Sequence, residues 1–310
     1  MGGGTYSAAT YRAVTQSKID SGTSFAYDSH ARATGAGAHK SVSPKTLNKA
    51  GINIRECIDT TEHPATKPMV IGFDQTGSMG HIPREMQTRL KTVFALTTDR
   101  GVADVQIAVS AYGDAKNGER APLQISQFEA DNRIDDALDN LYLEGLGGGN
   151  NGETANLLWY YLAHYTQLDS FDKRGVKGKL YMIADEVALT VDATDIKNVI
   201  GDEPRGDLSN QGIVNDLTKL YDVTILLINN WSAKTQGSEK FYADLFGPDN
   251  VVVVESTNGI PELIAGMFAY DAGVDLDSIT DTLATSSSKE LATNVRNAIE
   301  RRTGKASGLR

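Results

Sequence analysis

"VIGFDQTGSMG", residues 70–80, is the stretch on which the reading of this chain turns. An apolar run with the texture of a buried strand ends on Asp74, and Thr76 and Ser78 follow at every second position. In extended backbone alternate side chains point the same way, so the three oxygen-bearing groups share one face. Gly77 and Gly80 let the chain curl around whatever those oxygens hold. One carboxylate with two neutral hydroxyls is a hard-oxygen set, suited to Mg²⁺ or Mn²⁺ rather than zinc. Mg²⁺ takes about six oxygens at ~2.0–2.1 Å, so this loop alone does not fill the shell.

The pattern around it predicts alternating strands and helices. "PMVIGFD" (68–74), "VQIAVSAYGD" (105–114), "GKLYMIADE" (178–186), "VTILLINN" (223–230) and "NVVVVES" (250–256) read as strands. "LQISQFE" (123–129) follows the second of these after a short loop, which permits antiparallel pairing. Pro83 marks a helix start, with Met86, Leu90, Val93 and Phe94 as its apolar stripe. "NRIDDALDNLYL" and "TANLLWYYLAHYTQL" read as helices, the second behind the glycine-rich "GLGGGNNGE". Further helices are expected over 210–221, in "SEKFYADLF" and in "IPELIAGMFAYDA". Continuous Val/Ile/Leu strands alternating with helices mean an α/β fold, a doubly wound and mostly parallel sheet with helices on both faces. In such sheets ligands bind beyond the carboxyl ends of the strands, where Asp74, Asp114 and Asp185 fall. Residues 1–66 show no sustained period and read as a partly ordered arm; 67–272 form the domain; 273–310 read as a polar tail with one amphipathic helix.

Among 310 residues the formal charge is −10, which argues against a nucleic-acid or anionic-membrane binder, since both need clustered Lys and Arg. The aliphatic runs are far shorter than the ~20 residues of a membrane span. No signal-peptide core is seen, and the single Cys57 suits a reducing compartment, so a soluble, cytoplasmic protein is expected.

"FDQTGSMG", then Thr154 behind a glycine-rich loop, then Asp185 at a later strand end, resembles the von Willebrand factor A domain and its metal-ion-dependent adhesion site over residues 67–272. "YGDA", "PLQISQFE" and "YLEGLGGGN" are similar to a bacterial and phage group of that family. The resemblance implies that Asp74, Thr76, Ser78, Thr154 and Asp185 hold Mg²⁺ or Mn²⁺, with Thr76 where the family has Ser. It implies a non-enzymatic module that captures an Asp or Glu of a partner protein, and for intracellular members a place beside AAA+ ATPases.

Other readings stand beside it. Asp74 and Ser78 also suit the cap of the following helix, and Thr154 the cap of its own. Asp114 and Glu153 suit either support of the ligands or a solvated loop, and Glu186 rivals Asp185. A metal-dependent hydrolase would need a base, for which Asp185, Glu186 and His81 are available. "GLGGGN" lacks the Gly-Lys-Ser/Thr of a phosphate loop.

Overall fold

The computed structural model describes residues 4–20, 25–47, 51, 53–146, 150–229 and 232–304. Gly147 to Gly149 of the glycine-rich loop, Asn230 and Lys305 lie outside them. The described chain opens with α1 (Ala8–Asp20), α2 (Ala26–Thr34) and β1 (Arg55–Cys57). Next come β2 (Lys67–Asp74), α3 (Ile82–Arg89), α4 (Val93–Thr98), β3 (Val105–Tyr112), β4 (Leu123–Ile125) and α5 (Arg133–Asp139). After the glycine-rich loop follow α6 (Asn156–Tyr165), β5 (Thr166–Leu168), α7 (Asp169–Arg174), β6 (Gly178–Ala184) and α8 (Ala193–Val199). The chain then runs through α9 (Asn210–Leu220), β7 (Tyr221–Ile228), α10 (Ser232–Phe246), β8 (Val251–Val254), α11 (Ile260–Asp271), α12 (Leu276–Ser286) and α13 (Lys289–Arg302).

Six strands form one sheet in the order β4-β3-β2-β6-β7-β8. Every pair is parallel except β3 with β4, where Ser110 faces Ile125 and Tyr112 faces Leu123. This is a doubly wound α/β fold, and its strand order reverses direction between β2 and β6. That is the topological switch point, where the loops leaving the two strands part to opposite sides and open a crevice. β1 and β5 pair in a separate two-stranded ribbon.

Both faces of the sheet are covered, as the unbroken apolar strands require. Met69, Ile71 and Phe73 of β2 pack with Met86, Phe94, Ile264, Met267, Val295 and Ile299 on one side. Val70, Leu180, Met182 and Ile225 pack with Leu158, Trp159, Leu162 and Leu217 on the other. Gly72 is required here, because a Cβ at that position would stand 2.6 Å from Leu158 Cδ2 and lift α6 off β2.

Three local features differ from the period read in the sequence. The stripe Met86–Phe94 is divided between α3, a 3-10 turn at Leu90–Thr92 and α4. After Gly273 there are two helices, α12 and α13, and their Leu283, Val295 and Ile299 are buried in the first of the two cores. The segment before β2 is also packed. Ile125 donates its backbone N–H to the Val42 carbonyl at 2.6 Å. The Arg55 side chain, 1% exposed, donates to the carbonyls of Ile125 (3.3 Å), Thr46 (3.1 Å) and Ser43 (2.6 Å) and lies over the Tyr161 ring. Carbonyl partners satisfy that buried cation where water cannot.

Ile299 is fully buried among sheet and helix side chains, so Ile299→Ala is expected to cost about 2–5 kcal/mol in urea unfolding. A change below about 0.5 kcal/mol, the size of an ordinary surface substitution, would show that α13 is not part of the core.

Candidate metal centre

Asp74 is the last residue of β2, in register with Tyr112 of β3. Asp185 directly follows β6. The two carboxylates therefore meet at the switch point of the sheet, with 0% and 4% exposure. The loop after Asp74 folds back on it: the Thr76 backbone N–H and the Thr76 hydroxyl both reach Asp74 Oδ1 at 2.7 Å. Thr76 Oγ1 lies 3.1 Å from Ser78 Oγ, and the Ser78 hydroxyl donates to Asp185 Oδ1 at 3.3 Å. Glu153, 1% exposed, brings Oε1 to 3.3 Å from Thr76 Oγ1. Thr76 thus has one proton and two carboxylates within its reach.

Asp74, Glu153 and Asp185 each place one carboxylate oxygen so that all three lie within 4.8 Å of one another. Asp74 Oδ2 is buried and meets no hydrogen-bond donor. A buried oxygen of this kind loses its hydration without replacement, and three like charges at such spacing add repulsion. Two responses relieve this: protonation, or a cation. Without a cation, burial first and the Asp185 charge second hold the Asp74 carboxyl well above the usual carboxylate range. The same burial and charges keep the phenols of Tyr112 and Tyr242 un-ionised. Tyr112 donates to the Ile183 carbonyl and Tyr242 to that of Glu186, each at 2.8 Å. The donor set is all hard oxygen, and the donorless Asp74 Oδ2 is what a divalent cation would occupy, so the residues present fit Mg²⁺ or Mn²⁺.

Four of the five sequence-derived candidates, Asp74, Thr76, Ser78 and Asp185, are linked to one another by these contacts. Thr154 is buried beside them, but its hydroxyl donates to the Gly113 carbonyl at 2.9 Å and accepts from the Ala115 N–H at 3.0 Å. Glu153 bridges Ala188 in extended backbone, where successive side chains point oppositely, so the turn that brings Glu153 in sends Thr154 towards the β3 loop. No side chain caps α3, whose N-cap is His81, nor α6, whose N-cap is Ala155. Capping therefore explains none of Asp74, Ser78 and Thr154. The His81 side chain is 86% exposed and lies 3.8 Å from Glu85. Asp114 accepts from Asn150 Nδ2 at 2.6 Å and from the Lys116 N–H at 2.8 Å. Gly77 donates its N–H to the Leu146 carbonyl at 2.8 Å, and a Cβ there would sit 3.2 Å from the Gly145 carbonyl. The bare backbone lets the two loops close on each other.

No protein-family profile matches the chain, and no curated protein matches it in sequence. Among solved structures it is similar to the pilus adhesin SpaC from Lactobacillus rhamnosus GG in its open conformation, with TM-score 0.45 and 11% identity over 72% of this chain and 31% of that one. Proximal thread matrix protein 1 from the mussel byssus gives TM-score 0.42 and 12% identity over 70% of this chain and 47% of that one. A von Willebrand factor type A protein from Catenulispora acidiphila gives TM-score 0.41 and 17% identity over 67% and 43%. The chain spans less than half the length of each. Likeness at this level does not assign the chain to a family.

A pH dependence follows from the buried Asp74. Its folded-state pKa is raised above the unfolded 3.8, so its contribution to stability is full below that value and is lost as pH rises through the folded one. Asp74→Asn removes the dependence. In EDTA the variant is expected to melt above the unsubstituted protein at about pH 8, the gap closing towards about pH 4. A variant that melts lower at the alkaline end would contradict the arrangement.

Proposed function

We propose that this chain is a divalent-metal-dependent protein-binding module of the von Willebrand factor A type, with a metal-ion-dependent adhesion site. The observation that carries the reading is the donorless, buried Asp74 Oδ2 among three carboxylates at the carboxyl ends of β2 and β6. Asp74, Thr76, Ser78 and Asp185 would hold Mg²⁺ or Mn²⁺. With the ion on Asp74, the Thr76 hydroxyl would donate to Glu153 Oε1, 3.3 Å away, leaving its lone pairs for the ion. Thr154, a ligand by the family resemblance, would support the site through the Gly113–Ala115 backbone unless its hydroxyl turns.

When bound, the ion supplies a Lewis-acidic position that a carboxylate can occupy. A bound ion would have its charge offset by Asp74 and Asp185, with Glu153 close by, and an incoming Asp or Glu would exchange against water instead of against a protein ligand. An acidic partner residue held this way makes a direct ionic bond stronger than an exposed salt bridge, whose usual worth is ~0–1 kcal/mol. The partner is a protein, and by the family resemblance one associated with an AAA+ ATPase. Among the described residues no helix is long and apolar enough to cross a membrane. The buried free thiol of Cys57 suits our placement of the protein in the cytoplasm.

Calorimetric titration with Mn²⁺ is expected to give one site per chain, kept in Thr76→Ser and lost in Thr76→Val. Normal binding by the valine variant would make Thr76 a packing residue. A partner retained in Mg²⁺ is expected to be released by EDTA and by amidation of one acidic residue. Retention in EDTA would reduce the metal to a structural role. Turnover of a phosphoester, abolished by Asp74→Ala, would instead establish a metal-dependent hydrolase.

A further inference from the structure

The loop that closes on Gly77 is held from behind by a residue far away in sequence. Asp28 of α2 is 6% exposed, and its two carboxylate oxygens face different elements. Oδ1 accepts the Leu143 backbone N–H at 3.0 Å. Oδ2 accepts from Arg84 Nη2 of α3 at 2.8 Å and from Arg32 Nε at 3.1 Å. Arg32 also donates through Nη2 to the Leu143 carbonyl, so that residue is gripped at both of its backbone groups. Arg84 is fixed in turn, lying 4.5 Å over the Phe25 ring and donating to Gln87.

These contacts sit on the two walls of the metal loop. Leu143 leads within a few residues to Leu146, whose carbonyl takes the Gly77 N–H at 2.8 Å, next to Ser78. Arg84 lies on the helix that begins just beyond Ser78. One carboxylate therefore braces the 143–146 segment, which supports the loop, and the helix that follows it. From the opposite side, Gln124 accepts the Tyr142 N–H at 2.9 Å and Glu144 accepts the Arg120 N–H at 2.7 Å. On the α2 side the brace is Asp28 together with Arg32, whose guanidinium Asp28 orients.

We propose that Asp28 is a positioning residue of the metal centre: it sets the 143–146 segment against Gly77 and so holds Ser78 where it can ligate. This rests on the metal-binding reading above. Groups that orient ligands typically contribute 10- to 100-fold in metal affinity. The test uses the full chain and Mn²⁺ as probe, with melting in EDTA as the control for folding. Asp28→Ala is expected to weaken Mn²⁺ binding about 10-fold or more, and Asp28→Asn, whose amide oxygen still accepts the Leu143 N–H while its NH2 meets Arg84 and Arg32, to recover part of the loss. Hydrogen exchange in EDTA is read in parallel, and there the Gly77 amide is expected to lose protection in Asp28→Ala and keep it in Asp28→Asn. If Asp28→Ala does not fold, Asp28→Ser, too short to reach the Leu143 N–H, carries the same two readouts with the same expected losses. Unchanged Mn²⁺ affinity together with unchanged Gly77 protection in a folded Asp28→Ala overturns the proposal. Absence of Mn²⁺ binding in the unsubstituted chain sinks the metal reading instead, and the exchange of Gly77 then decides whether Asp28 braces the loop.

Discussion

The burial of the Asp74 carboxylate is the constraint on which the rest of the site depends. The strand that carries it is apolar on both faces and lies in the middle of the sheet, between β3 and β6. Nothing in that setting hydrates a carboxylate. One oxygen is satisfied by Thr76 and the other meets no donor. A buried, half-satisfied anion next to Asp185 and Glu153 is costly unless it is neutralised by a proton or by a cation.

Topology explains why the cost arises where it does. Parallel strands wound in opposite senses from β2 leave a gap above β2 and β6, so their ends are the one place in such a sheet where a central residue can be both buried and reachable. Helices α3 and α6 leave on opposite faces, and the loops before them supply Ser78 on one side and Glu153 on the other. Asn150 is tied to Asp114, and Leu143 to Asp28 from the amino-terminal part of the chain. That part belongs to the architecture around the site through polar contacts: an arginine buried among carbonyls, and a carboxylate shared by two arginines.

The strands and their order of appearance were legible because burial on both faces leaves apolar runs of strand length, set between longer helical patterns and turn residues. Asp74, Thr76 and Ser78 were legible for an equally local reason, their period of two at the end of such a run. Glu153 was harder to see. Its place depends on the path of a glycine-rich loop with no period, and on the Gly113 carbonyl pinning the Thr154 N–H; sequence order favoured Thr154, while backbone alternation turns Glu153 inward. Of the helices the sequence reading leaves out, α1 carries almost no apolar stripe, whereas α12 places Leu276, Ile279 and Leu283 at helical spacing and was legible from it. α2 is fixed by Asp28 and Arg32 rather than by a run of leucines, and short elements such as β5, α7 and α8 fall below the length at which a period can be recognised.

The most direct test of the metal centre is anomalous scattering from crystals of the full chain grown or soaked in Mn²⁺. The account predicts one strong peak bounded by Asp74, Ser78 and Asp185, at ~2.0–2.2 Å from oxygen ligands, with Asp74 Oδ2 or a water held by it on the ion. A crevice with no peak at saturating Mn²⁺, or a peak bound elsewhere with Asp74 Oδ2 still facing no donor, would contradict it.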